Sequence, residues 1–288
     1  MYSTLSPDAI GVRGLPLADA ARLARDAGFD GVSFDVREAA SLVEERGPRH
    51  ARDIFATAGV RPGYWNLPVA WLQEERWRAD LADLPRLASV ARGLGCPRAI
   101  TWVPSGSDER PNEENFSWHV ERFRPIAAAL GDEGCRLGLE FIGPRTFRAR
   151  FRHEFVYTLD GMIGLAAAIG TGNVGVLLDS WHLYTSGGTL EDLDRLRADD
   201  VVVVHVNDAP AGVARDEQID SVRTLPMETG VIDLPGFMGR LRAMGYDGPV
   251  TPEPFSRGLA DLAATDPAAA ARQAGKAMAT LWQAAGLT

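Results

Sequence analysis

Lysine is almost missing from this 288-residue chain: Lys276 is the only one, so arginine supplies the other basic residues. Schiff-base and pyridoxal-phosphate chemistry need a lysine amine beside the substrate. Lys276 lies in an Ala-rich segment that reads as a closing helix, which argues against both. Cysteine is scarce as well. Cys96 and Cys135 stand in no metal-like or redox-like spacing, as expected of a reducing compartment. The opening MYSTLSPDAIGV has no basic stretch followed by an apolar run, and no apolar run reaches membrane-spanning length, so a cytoplasmic protein without membrane contact is expected. Basic residues are outnumbered, 30 to 39, for a net charge of −9. Neutralising phosphates takes clustered Lys and Arg, so nucleic acid is a poor partner for such a chain. No Gly-rich fingerprint follows an early strand, which leaves no place for NAD.

What is present is a regular alternation. Hydrophobic residues make up 45% of the chain, enough to bury a large core. β-branched apolar runs at 2–5, 31–36, 61–67, 99–103, 136–142, 174–179, 201–206 and 249–254 read as strands. Between them, apolar residues recur at helical spacing over 16–27, 39–58, 75–93, 115–130, 159–169, 190–197, 234–244 and 267–285. The joints repeat too: Ala27–Gly31 and Met244–Gly248 both read as a helix stopped by Gly, an aromatic, then Asp-Gly turning into a strand. No linker divides the chain. Eight β-then-α units predict an α/β fold, a single (β/α)₈ TIM barrel over residues 1–288. An open doubly wound sheet is the alternative.

Barrel chemistry sits at the C-terminal ends of strands. The fifth strand ends Leu-Gly-Leu-Glu140 and the sixth Val-Leu-Leu-Asp179, followed by Ser-Trp-His182. The seventh ends Val-Val-Val-Val-His205, followed by Val-Asn-Asp208, and the eighth Val-Thr-Pro-Glu253. A lone carboxylate there is ordinarily a solvated loop residue, and a lone histidine ordinarily belongs to the core. Four in succession at the same relative position are different. Converging carboxylates without a cation would repel one another and force protonation. One divalent ion on Glu140, Asp179, His205 and Glu253 removes that difficulty. Three carboxylates and an imidazole favour Mn²⁺ or Mg²⁺, with Co²⁺ acceptable, over a thiolate-type zinc site.

In this order, on these strands, Leu-Glu-Phe at Glu140, Asp-x-x-His at Asp179/His182, His-x-x-Asp at His205/Asp208 and the terminal Glu253 resemble the xylose isomerase-like barrel superfamily. Its members include sugar isomerases and epimerases, hydroxypyruvate isomerase, inosose dehydratase and endonuclease IV. The resemblance covers essentially the whole chain. It implies Glu140, Asp179, His205 and Glu253 as metal ligands and Glu140 and Glu253 as an acid–base pair on opposite substrate faces. It also implies His182 as donor to a substrate oxygen, and Asp208 as a residue orienting a ligand or the His205 ring. The implied reaction is proton abstraction α to a metal-held carbonyl, passing through an enediolate, on a sugar or keto-cyclitol. Family members commonly associate through barrel surfaces, so a homo-oligomer is an expectation.

The chain departs from the pattern in places. Ketose epimerases of the superfamily carry a second glutamate six positions after the first; here that position is Thr146. Arg145, Arg148, Arg150 and Arg152 in the same loop either hold an anionic group or form a solvated face. Arg223 heads a loosened version of a family turn and is a candidate substrate contact. Asn66 and Trp102, at earlier strand ends, either meet the substrate or simply pack. A dehydratase or lyase on a keto-cyclitol or 3-keto-glycoside would use the same proton abstraction. An endonuclease would need extra histidines at strand ends, and a binding protein would have no use for the ligand set.

Overall fold

A computed structural model describes residues 1–287. Its central sheet contains β1 (Tyr2–Leu5), β2 (Gly31–Val32), β3 in two pieces (Arg61–Pro62 and Trp65–Asn66) and β4 (Arg98–Val103). It continues with β5 (Arg136–Phe141), β6 (Val174–Asp179), β7 (Val201–Val206) and β8 (Pro249–Pro252). All neighbouring pairs are parallel, and β8 returns to β1 with Tyr2 opposite Pro249. The two free edges of this nine-piece sheet are the two halves of β3. Arg61–Pro62 pairs with β2, Trp65–Asn66 pairs with β4, and only Gly63 and Tyr64 lie between them. The sheet therefore closes on itself as an eight-stranded barrel. Gly63 permits the break, since a Cβ there would stand 2.5 Å from Thr4 Cγ2.

Long helices follow most strands and cover the barrel, with Ala-rich inner faces such as Ala20, Ala21 and Ala24 allowing close approach. None is long and apolar enough among the described residues to cross a membrane. Two expected helices differ. The second, Val36–Ala58, breaks at Gly47 (φ 84°), because Pro48 has no N–H to give and disfavours helical geometry in the residue before it. The segment at 190–197 tightens into a 3₁₀ turn over Leu190–Arg195, too short to nucleate an α-helix. A two-strand antiparallel ribbon, Gly106–Ser107 with His153–Glu154, ties the loops after β4 and β5.

The main core fills the space between helices and sheet. A second, small cluster of Tyr64, Ile100, Leu177, Val202 and Val203 floors the barrel's C-terminal mouth. Its placement follows from strand periodicity: Leu177 and Val203 lie two residues before Asp179 and His205, on the same face. Apolar residues thus support the polar ring one layer above.

Candidate metal centre

The four strand ends converge. Glu140, Asp179, His205 and Glu253 each present one donor atom, and these atoms all lie within 4.8 Å of one another. Asp179 is fully buried, and Glu140 and His205 nearly so. Both His205 ring nitrogens and Glu140 Oε1 are buried without a hydrogen-bond partner among the described residues. Buried polar atoms left unpaired are costly, and of these His205 Nδ1 lies 3.8 Å from Glu140 Oε1 and 3.4 Å from Glu253 Oε2. The donor set of three carboxylates and one imidazole fits a hard divalent cation.

The charge balance within the protein falls to Arg223. Its Nη1 donates to Asp179 Oδ2 and to Glu253 Oε2, both at 2.9 Å, and its Nη2 donates to Asp220 Oδ1 at 2.9 Å. The guanidinium lies between the rings of Trp181 and Phe255, 4.7 and 4.6 Å from their centroids. Burial opposes its charge, but Asp179, Glu253, Asp220 and Glu140 together more than restore it. The two glutamates are driven apart. Burial, then repulsion from Glu253 and Asp179, pushes Glu140 well above the usual carboxylate range. Burial pushes Glu253 the same way, but His205 and Arg223 outweigh it and hold that carboxyl below its ordinary value.

His182 stands beside the ring, in a short helix, Ser180–Thr185, capped by Asp179. Its Nδ1 lies 3.2 Å from Gly143 N, and Arg223 Nη2, which can only donate, lies 3.1 Å from its Nε2. That nitrogen lies 3.9 Å from Glu140 Oε1 and 3.7 Å from Asp220 Oδ1. Burial, and then Arg223, lower the imidazole to about 3, so the ring is neutral. Gly143 is required for this contact, because a Cβ would sit 2.3 Å from the His182 carbonyl oxygen.

Asp208 differs from expectation. Its carboxylate touches neither a ligand nor the His205 ring. It accepts from the backbone N–H groups of Ala209, Thr229, Gly230 and Ile232 at 2.7–3.1 Å and so pins the loop that carries Arg223. The reason is directional: along β7 and its extension, His205 and Asn207 face the barrel mouth, while Asp208 turns into the loop. Asn207 takes the position beside the ligands. Its Nδ2 donates to Asp179 Oδ2 at 3.1 Å, and its Oδ1 accepts from Glu253 N–H at 2.7 Å. Asn207 and Asp220 were not anticipated. The two-residue step from His205 is the signal that would have found Asn207; for Asp220, in an irregular loop, no local signal exists.

The arginines after β5 are dispersed rather than gathered. Arg145 pairs with Asp216, and Arg148 donates to Gly143 O and packs over Tyr157. Thr146 Oγ1 donates to Gln218 O at 2.6 Å, joining the loops after β5 and β7. Above the ring opens a cavity of about 600 Å³ lined by Glu140, His205, Glu253, Tyr64, Trp102 and Asn66, among others. Trp102 and Phe255 are exposed on its walls.

The chain resembles characterised proteins along most of its length. An inosose isomerase of Halalkalibacterium halodurans is 28% identical over 210 residues, 71% of this chain and 70% of that one. A 3-dehydroshikimate dehydratase of Pseudomonas putida is 26% identical over 237 residues, 81% of this chain but only 35% of that enzyme. A xylose isomerase domain protein of Alicyclobacillus acidocaldarius superposes with a TM-score of 0.86 at 29% identity, covering 99% of each chain. The sequence profile of one family matches residues 21–281, a span containing all four converging side chains. By profile, barrel and relatives alike, the chain belongs to the xylose isomerase-like TIM barrel family.

Proposed function

We propose that the protein is a divalent-metal-dependent isomerase or epimerase of a sugar or keto-cyclitol. The observation that carries this reading is the convergence of Glu140 and Glu253 with Asp179 and His205 beneath one open cavity. A divalent ion held by the four would supply Lewis acidity toward a substrate carbonyl and its neighbouring hydroxyl; Mn²⁺ or Mg²⁺ suits the donors best, with Co²⁺ acceptable.

The chain's own groups divide the remaining work. Glu253, held ionised, takes the proton from the carbon beside the carbonyl, and the released electron pair moves onto the carbonyl oxygen. Glu140, across the site, returns a proton on the other side. His182 donates to a substrate oxygen, and Arg223 keeps Glu253 aimed. Protonation of the neighbouring carbon gives the isomer; protonation of the opposite face gives the epimer.

The Pseudomonas putida relative favours a second reading, dehydration. There the same electron pair expels a β-hydroxyl, which takes the Glu140 proton and leaves as water. A panel of keto-sugars and keto-cyclitols incubated in D₂O with the Mn²⁺-loaded protein separates the readings by NMR. Deuterium at an α-carbon of an intact skeleton supports isomerisation or epimerisation. Loss of water supports dehydration. No exchange with any member of the panel overturns both.

A further inference from the structure

Asp179 is surrounded by more donors than a metal ligand can keep. Its Oδ1 accepts from Trp181 N–H at 2.6 Å and from Asn207 Nδ2 at 3.3 Å. Its Oδ2 accepts from Asn207 Nδ2 at 3.1 Å and from Arg223 Nη1 at 2.9 Å. An ionised carboxylate offers about four lone-pair sites, and these contacts fill them. An ion held by Asp179 therefore has to replace a donor. Trp181 N–H is fixed by the helix it begins, and Asn207 is held at its other end by Glu253 N–H. Arg223 alone among the three donors carries positive charge, which a divalent ion a few ångströms away repels.

The same guanidinium makes a second contact that is mismatched. Neutral His182 has one ring N–H, yet both of its ring nitrogens face donors, Gly143 N–H at Nδ1 and Arg223 Nη2 at Nε2. One of the two contacts is donor against donor. Gly143 is packed too tightly to yield, since even a Cβ has no room there, so relief has to come from Arg223.

The guanidinium has a path along which to move. It is flanked by the rings of Trp181 and Phe255, and attraction to ring faces sets no single in-plane position as hydrogen bonds do. Trp181 is fully buried, whereas Phe255 is exposed and lines the cavity, so the slot between them opens toward the cavity. Phe255 holds that place at φ 37°, a left-handed conformation that costs energy for an aromatic residue. Asp220 lies in the same loop and accepts from Arg223 Nε through its carbonyl and from Nη2 through its carboxylate, so this clasp can travel with the side chain.

We propose that Arg223 is a displaceable cation that competes with the metal ion for Asp179. When a divalent ion is bound, Arg223 gives up Asp179 and His182, shifts along the slot between Trp181 and Phe255, and keeps its contact with Glu253 at the cavity wall. One lone pair of Asp179 is then free for the ion, and His182 Nε2 is free for a substrate oxygen. This rests on the metal centre proposed above and adds an order of assembly, in which metal binding precedes and releases the substrate-binding groups.

Calorimetric titration of the chelator-stripped protein with Mn²⁺ reads the competition. Arg223→Met removes the charge and keeps an apolar side chain between the two rings. It should bind Mn²⁺ at least about tenfold more tightly than the parent. A residue that merely holds ligands in place gives the opposite sign, weaker binding on removal. Equal or weaker binding by Arg223→Met, beside a parent that saturates, overturns the proposal and leaves the metal centre standing. Uptake by Arg223→Met where the parent takes up none supports the competition and overturns the metal centre of the parent. If neither binds Mn²⁺, both ideas fall. Should Arg223→Met fail to fold, a crystal structure of the Mn²⁺-soaked parent decides. Separation of Arg223 Nη1 and Asp179 Oδ2 beyond hydrogen-bond reach supports displacement. A contact still at 2.9 Å, or a ring that takes up no Mn²⁺, overturns it.

Discussion

Asn207 shows how much of the site rests on a side chain that holds no ion itself. It grips the Asp179 carboxylate with one end and the backbone of Glu253 with the other, joining β6 to β8 across β7. Removing it takes a donor from the buried Asp179 carboxylate and leaves the Glu253 N–H only its longer bond to Val206 O, 3.3 Å. Asn207→Ala should therefore destabilise the fold by about 1–3 kcal/mol. It should also weaken Mn²⁺ binding by about 10–100-fold, as loss of a residue that orients metal ligands typically does. Urea unfolding and calorimetric titration check the two effects separately; an unchanged Mn²⁺ affinity would contradict the assigned role. Which side chains gather was legible in the sequence for Glu140, Asp179, His205 and Glu253, since each ends an apolar strand. The ring they form also has partners whose identity depends on direction. Asp208 had the right type and place in sequence for orienting a ligand, yet it faces the loop, and Asn207 faces the ligands.

At the level of elements, the eight strands and most helices were readable because their apolar periods are strong and their stops are marked by Gly. The split of β3, the break at Gly47 and the small ribbon were not, because each depends on contacts made across the molecule. The loop from Ala209 to Ile232 has no periodicity at all; Asp208 orders it together with the contacts of Arg223 and Gln218. Asp208→Ala should release that loop and Arg223 with it. Limited proteolysis should then cut between Ala209 and Thr229 faster than in the parent protein, and stability should fall by about 1–3 kcal/mol.

The helix Asn112–Asp132 supplies a pH prediction far from the ring. His119 is buried among Trp71, Trp118, Phe123 and Phe155, stacked on Phe155 at 4.5 Å. Its Nδ1 lies 2.7 Å from Asn115 O, and its Nε2 has no partner among the described residues. Burial lowers it to about 4 from 6.5, only partly opposed by the Asn115 carbonyl and aided by Arg110 and Arg122. The unfolded chain therefore binds this proton at a pH where the folded one does not. The contribution of His119 is full above its unfolded value and is lost as pH falls from 6.5 toward 4. Between about pH 7 and about pH 5 the loss should be about 2 kcal/mol. His119→Phe, which cannot titrate, should lack that part of the slope when urea midpoints are compared at the two pH values.

For the whole molecule, the closed barrel explains why residues more than a hundred positions apart meet at one mouth. It also gives part of the net charge of −9 an address. Glu140, Asp179 and Glu253 sit within a few ångströms of one another, with Arg223 as the guanidinium that bridges two of them. That arrangement tolerates, and on the proposed reading requires, one further cation. The most direct measurement is a calorimetric titration of the chelator-stripped protein with Mn²⁺, set beside the same titration of His205→Ala. The parent protein should take up one equivalent, and His205→Ala should bind at least about 100-fold more weakly. A parent protein without a saturable site, or a variant that binds Mn²⁺ as tightly as the parent, would contradict the proposed metal centre.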